Sequence, residues 1–306
     1  MHGIYFRDAI RMITTNENIS INATSKAKAY YELLKFRLSA LVAFSGAFGY
    51  SLAVDRIDWW KLFLISIGGF CITGAANIVN QIKEIELDKL MKRTQNRPLP
   101  TGRLSVNEAS IFCIALFTLA SYILFIEFNY KSGLLGVLSF LLYGFVYTPL
   151  KRVGPISVFV GAFPGAFPPM IGWVAATGHF GLEPGILFAI QFFWQFPHFW
   201  AIAWVADEDY QRAAFKMLPN DGHKDLRTAI TMMSYAIFLV PCGFIPHLLG
   251  MTGINSAIVA VTCGVIFLAQ TFYLMSKPTD KAALMLMFGS FIYLPIVQIA
   301  FLMDKI

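Results

Sequence analysis

Residues 61–80 read KLFLISIGGFCITGAANIVN, and residues 81–88 continue as QIKEIELD. The first twenty carry one charge, at Lys61. A helix of that length, rising about 1.5 Å per residue, crosses roughly 30 Å of hydrocarbon. Similar apolar runs lie at about 38–54, 109–126, 132–150, 155–177, 184–206, 228–249, 254–275 and 282–303. Nine spans are therefore expected, in an all-α polytopic membrane protein. The first run is the shortest, and fits best if its helix begins near Tyr30.

Composition agrees. Of 306 residues 57% are hydrophobic and 14% charged, the mean hydropathy is +0.61, and there are 29 Phe and 12 Met. A soluble domain is usually about a quarter charged, so a water-soluble fold, a disordered chain and a nucleic-acid-binding module are excluded for the bulk of the chain. Cys71, Cys113, Cys242 and Cys263 lie in apolar runs without CxxC spacing, and read as small buried hydrophobes.

The polar stretch before the first span, assigned as a segment at 1–29, lacks the apolar core of a secretory signal. With nine spans, 20 of the 24 Lys and Arg fall on the N-terminal side of the membrane. By the positive-inside rule that side is cytoplasmic and the C-terminus lies outside. The loops 81–108 and 207–227 also fall on the cytoplasmic side. They hold Glu84, Glu86, Asp88, Asp207, Glu208 and Asp209. A reaction site is therefore expected at that face.

The quoted stretch carries the first candidate chemistry. Asn80, Glu84 and Asp88 are spaced i, i+4, i+8 and form one stripe on a continuing helix. Mg²⁺ takes one or two carboxylates, waters and a substrate phosphate, and would relieve their repulsion. Lys92, Arg93 and Arg97 follow, suited to diphosphate oxygens. The plain alternative is a solvated helix end with capping charges.

The run NQIKEIELDKLMKRTQNRPLPTGRLS (80–105) resembles the first motif of the intramembrane prenyltransferases, the UbiA superfamily, whose general form is NDxxDxxxD. Gln81 and Glu84 stand where that form has Asp. The particular wording is similar to the haem-modifying branch, the protohaem IX farnesyltransferases or haem O synthases. That resemblance assigns Asn80, Glu84 and Asp88 to Mg²⁺–diphosphate, with Arg93 and Arg97 beside it.

Two further stretches resemble the same branch. In WQFPHFW (194–200), followed by EDY (208–210) and MLP (217–219), Glu208 and Asp209 are expected to make a second Mg²⁺–diphosphate contact, with Asp209 a metal ligand. His198 has three readings: a hydrogen-bonded structural histidine, an acceptor contact, or an iron ligand. In YTPLKR (147–152), Tyr147, Lys151 and Arg152 are substrate-binding candidates, although the two cations equally suit a positive-inside anchor. GAFPGAFPPMIGW (161–173) places Gly and Pro where a helix is expected to break along a cavity.

The resemblance, not the spacing, implies the reaction. It expects nine helices around a central cavity open to the cytoplasmic side, with residues 30–306 as the prenyltransferase domain. Farnesyl diphosphate and haem B are the implied substrates, and Mg²⁺ the cofactor. The implied setting is a bacterial cytoplasmic membrane, with haem A synthase or terminal oxidase assembly as downstream partner and no nucleic acid. An aromatic quinone precursor is the alternative acceptor. A secondary transporter is a more distant alternative, because the ionisable clusters lie at helix ends and not at the midplane.

Overall fold

The computed structural model describes residues 26–306. Most of the polar segment expected at 1–29 lies outside the described residues. Among the described residues nine helices are long and apolar enough to cross a membrane. They are α1 (Phe36–Ala53), α2 (Trp59–Lys83), α3 (Val106–Phe128), α4 (Tyr130–Leu150), α5 (Ile156–Thr177), α6 (Leu182–Val205), α7 (Leu226–Leu248), α8 (Ile254–Ser276) and α9 (Asp280–Met303). Each boundary falls within three residues of the apolar run that announced it.

Helix α1 begins at Phe36, later than Tyr30. Residues 26–33 form a separate short helix, and the chain turns at Lys35, whose φ of 47° lies in the left-handed region. Ala29 and Leu33 are wholly buried against α2 and α3. The Gln81 amide donates to Leu33 O at 2.8 Å and holds this helix to the end of α2.

The Lys- and Arg-rich loops gather at one end of the bundle. At the other end Trp59, Trp60, Tyr130 and Phe180 are exposed, as aromatic side chains are at a membrane rim. The large buried cluster joins α5 to α9, and a second ties the 26–33 helix to α2 and α3. A third lies between α1, α2, α4 and α5.

Helix α5 runs unbroken through Pro164, Pro168 and Pro169, against the expectation of a break. Each proline frees the carbonyl four residues before it. Those freed by Pro168 and Pro169 find side-chain donors on neighbouring helices: Ser139 Oγ donates to Pro164 O (3.4 Å) and Gln191 Nε2 to Gly165 O (2.7 Å). The helix can therefore stay intact. It also packs closely on α1, where a Cβ on Gly172 would stand 1.9 Å from Gly46 O.

A π-helical turn at Leu142–Tyr147 lies just before the 148–152 corner and sets the direction of Tyr147 and Lys151. An apolar void of about 20 Å³ sits between α1, α2, α4 and α5, lined by Gly46, Gly69, Thr73, Ser139 and Pro168 among others. It lies two turns deeper in α2 than Asn80. Of the four cysteines, all unbonded, Cys71, Cys113 and Cys242 are buried and Cys263 partly so.

Candidate active site

Helix α2 gives way at Glu84 to one further turn, Ile85–Asp88. The backbone keeps helical bonding through the junction, with Glu84 N–H donating to Asn80 O (3.0 Å) and Asp88 N–H to Glu84 O (2.7 Å). Asn80, Glu84 and Asp88 therefore stay on one stripe. All three are buried, at 1%, 3% and 0% exposure. The solvated-end reading fails at this point, since carboxylates so buried need partners.

Their partners are cations from three other segments. Lys151 Nζ contacts both Glu84 oxygens, at 2.9 and 3.2 Å. One Arg97 nitrogen, Nη1, reaches both Asp88 oxygens, at 2.9 and 2.8 Å. Lys35 Nζ donates to Asn80 Oδ1 at 3.3 Å, and Asn80 Nδ2 donates to Thr148 Oγ1 at 3.2 Å. Among the described residues Lys35 has no carboxylate within ion-pair distance, so three cations face two carboxylates. Burial, and then the charges of Arg97 and Lys151, hold the Lys35 ammonium well below the usual lysine range. Burial pulls Lys151 the same way, but Glu84 and its neighbours outweigh it and leave Lys151 raised.

Aromatic rings wall the cluster. Lys151 Nζ lies 4.9 Å from the centroid of Tyr147 and 5.4 Å from that of Phe215. Tyr143 packs on Tyr147 with centroids 5.1 Å apart. The 207–219 segment closes over this corner, with Lys216 N–H donating to Lys151 O at 2.8 Å.

Asp209 links the two long loops. Its oxygens accept the backbone N–H groups of Lys92 (3.1 Å) and Arg93 (3.2 Å), and Arg212 at 3.2 Å. The Arg93 guanidinium lies 6.0 Å from the Tyr210 ring centroid. Glu208 does not join the cluster; its side chain is 89% exposed and only approaches Arg212, at 3.8 Å. Arg152 is exposed as well. His198 stands apart, buried in α6 beside α9, with Nδ1 2.7 Å from Ser290 Oγ.

The fold thus brings together Asn80, Glu84, Asp88, Arg97, Lys151 and Tyr147. It sets Asp209 and Arg93 at the rim, and keeps Glu208, Arg152 and His198 out. Sequence reasoning missed Lys35 and Thr148. Lys35 precedes the first apolar run and reads as one more positive-inside charge. Only its contact with Asn80 reveals a role.

Among the described residues no three His, Cys, Asp or Glu side chains converge as a metal cage. Two carboxylates and an amide oxygen instead suit a hard cation that completes its shell with water and substrate phosphate, as Mg²⁺ does. Lys151 and Arg97 would have to exchange carboxylate for phosphate.

The chain is 56% identical over 284 residues to a protoheme IX farnesyltransferase of Cytophaga hutchinsonii, covering 92% of this chain and 99% of that one. A solved digeranylgeranylglyceryl phosphate synthase superposes with a TM-score of 0.77 at 22% identity, over 91% of this chain and 98% of that one. A UbiA homolog from Archaeoglobus fulgidus, solved bound to DMAPP and Mg²⁺, superposes with a TM-score of 0.64 at 16% identity, over 87% and 99%. The UbiA prenyltransferase family matches residues 42–294, nearly the whole set of spans, and the chain belongs to it.

Proposed function

We propose that this multi-pass membrane protein moves the farnesyl group of farnesyl diphosphate onto a vinyl group of protohaem IX (haem B). The product is haem O, with its hydroxyethylfarnesyl side chain. The observation that carries the transfer chemistry is the buried cluster at the end of α2, where two carboxylates and an amide face three cations. The named relative from Cytophaga hutchinsonii supports haem as the acceptor.

In this reading Asn80, Glu84 and Asp88 hold Mg²⁺, with Asp209 approaching from the rim. When bound there, Mg²⁺ would supply charge that offsets that of the leaving diphosphate. Lys35, Arg93, Arg97 and Lys151 donate to the diphosphate oxygens, and preorganised donors of this kind stabilise charge that develops as the C–O bond breaks. Tyr143, Tyr147 and Phe215 wall off water, and their ring faces suit an allylic cation. Glu208 and Arg152 remain at the rim as charges on the approach. The farnesyl C1–O bond breaks and C1 bonds to the terminal vinyl carbon. Water adds to the neighbouring carbon and loses a proton, and diphosphate leaves.

The Lys- and Arg-rich end, with the N-terminus and a cavity opening beside the cluster, faces the cytoplasm, and the C-terminus lies outside. Residues 30–306 form the prenyltransferase domain, and 1–29 a polar cytoplasmic segment. The membrane is the bacterial inner membrane, and haem A synthase or terminal oxidase assembly consumes the product.

Haem composition by mass spectrometry, in membranes expressing the protein, tests this reading. Haem O with wild type, lost in Glu84→Gln and Asp88→Asn, is expected. Unmodified haem B from folded protein supplied with farnesyl diphosphate and Mg²⁺ would overturn the acceptor assignment, and quinone precursors would be next.

A further inference from the structure

The surroundings of His198 select among its three readings. Ser290 Oγ lies 2.5 Å from Met287 O, one turn earlier on α9, and 2.7 Å from His198 Nδ1. A hydroxyl has a single proton. The Met287 carbonyl can only accept, so the serine proton goes there and the serine oxygen must accept from the imidazole. Nδ1 therefore carries the ring proton, and the Nε2 lone pair is free. Among the described residues Nε2 has no hydrogen-bond partner, and it is not one of the buried polar atoms sealed without one. A purely structural histidine in an apolar helix would be expected to satisfy both nitrogens.

The ring is also fixed in orientation. Trp194 stacks on it, with centroids 4.5 Å apart and planes 19° apart, and Trp194 is itself pinned by donating Nε1–H to Ser290 O at 2.9 Å. Phe199 and Phe291 present edges at 5.1 and 5.2 Å. An imidazole whose far nitrogen is hydrogen-bonded, so that tautomer and direction are set, is how proteins prepare a metal ligand. Among the described residues no set of His, Cys, Asp or Glu joins it to form a cage for a bare ion. A single imidazole between aromatic walls suits a metal that arrives with its other ligands in place, in a flat apolar macrocycle. Phe291 is 45% exposed on the bilayer side, so such a molecule can approach from lipid.

We propose that His198 Nε2 is an axial ligand of the iron in the porphyrin acceptor, and that Ser290 is a positioning residue that sets its tautomer. This rests on haem being the acceptor.

The test uses purified full-length protein in nanodiscs, titrated with haem B and with metal-free protoporphyrin IX, and followed by absorption and electron paramagnetic resonance spectra. Wild type is expected to bind haem B at least tenfold more tightly than the metal-free ring, with an imidazole-ligated iron spectrum. His198→Ala should bind both rings equally and lose that spectrum, and added imidazole should restore it. His198→Gln, which keeps a donor for Ser290, should behave like the alanine variant if the protein is intact. Ser290→Ala should keep the spectrum and weaken haem B binding several-fold. Haem B bound with an unchanged spectrum in His198→Ala and His198→Gln overturns the ligand assignment while leaving the acceptor standing. A wild type that binds no haem B overturns both.

Discussion

Asp88 and Arg97 form a buried pair in which one guanidinium nitrogen reaches both carboxylate oxygens, at 2.8 and 2.9 Å, and Asp88 has no exposed surface. The Thr94 hydroxyl donates to Asp88 O at 3.0 Å and locks the intervening loop. Removing one member of such a pair leaves an unpaired buried charge, which typically costs about 3–5 kcal/mol. Asp88→Asn and Arg97→Gln should each lower the melting temperature in detergent. The double variant should recover much of that loss, because neither charge is then stranded. Its prenyl transfer should stay as low as in either single variant, since both the metal ligand and the phosphate donor are gone. Thermal unfolding and initial rates on the same preparations check this. A double variant no more stable than the singles would sink the argument.

Lys35 places function and stability in opposition. Its backbone is left-handed at φ 47°, and its part-buried ammonium has no carboxylate partner among the described residues. A non-glycine residue so placed stores roughly 1–3 kcal/mol of strain, which natural sequences tolerate mainly at functional sites. Lys35→Gly relieves the backbone and Lys35→Met removes a cation that has no carboxylate partner, so both should melt above wild type without ligand. Both should raise KM for farnesyl diphosphate by tenfold or more. A lower melting temperature with unchanged KM would make Lys35 a structural residue only.

The far end of the bundle is closed by the last three residues. Asp304 Oδ2 accepts the Ser256 N–H at 2.7 Å, at the start of α8. Lys305 Nζ donates to Ser51 O at 3.1 Å and also to Val54 O, at the end of α1. The Ser256 N–H holds the Asp304 carboxyl below its usual value. A carboxyl lowered by folding adds stability that is complete above its unfolded pKa of about 3.9 and is lost as pH falls through the folded value. Asp304→Asn should therefore melt below wild type at neutral pH, and the two curves should merge in acid. An equal gap at both pH values would rule this linkage out.

The spans were legible because hydropathy is set residue by residue and the bilayer demands a fixed length. The stripe Asn80–Glu84–Asp88 was legible for a similar reason, since helical spacing alone puts it on one face. What sequence could not give was long-range. Ala29 and Leu33 make no apolar run, so the 26–33 helix is created by docking on α2 and α3. Helix α5 reads as broken until Ser139 and Gln191 supply donors to the carbonyls its prolines free. Lys35 looks like an ordinary loop cation, and only its contact with Asn80 sets it apart.

The pairing of Glu84 with Lys151 and of Asp88 with Arg97 also fixes how the protein should respond to metal removal. Each carboxylate already has a cation, so the ligand-free fold needs no divalent ion to balance charge. EDTA should abolish turnover and leave the melting temperature of the ligand-free protein unchanged. With farnesyl diphosphate present, Mg²⁺ should raise the melting temperature, because a ligand bound only to the folded state stabilises it. Farnesyl diphosphate alone should raise it less, since Lys151 and Arg97 must then leave Glu84 and Asp88 uncompensated to reach the phosphates. Thermal scans across these four conditions, read beside turnover, check the exchange. If EDTA destabilises the ligand-free protein, the divalent ion is part of the resting fold, and Lys151 and Arg97 are not its stand-ins.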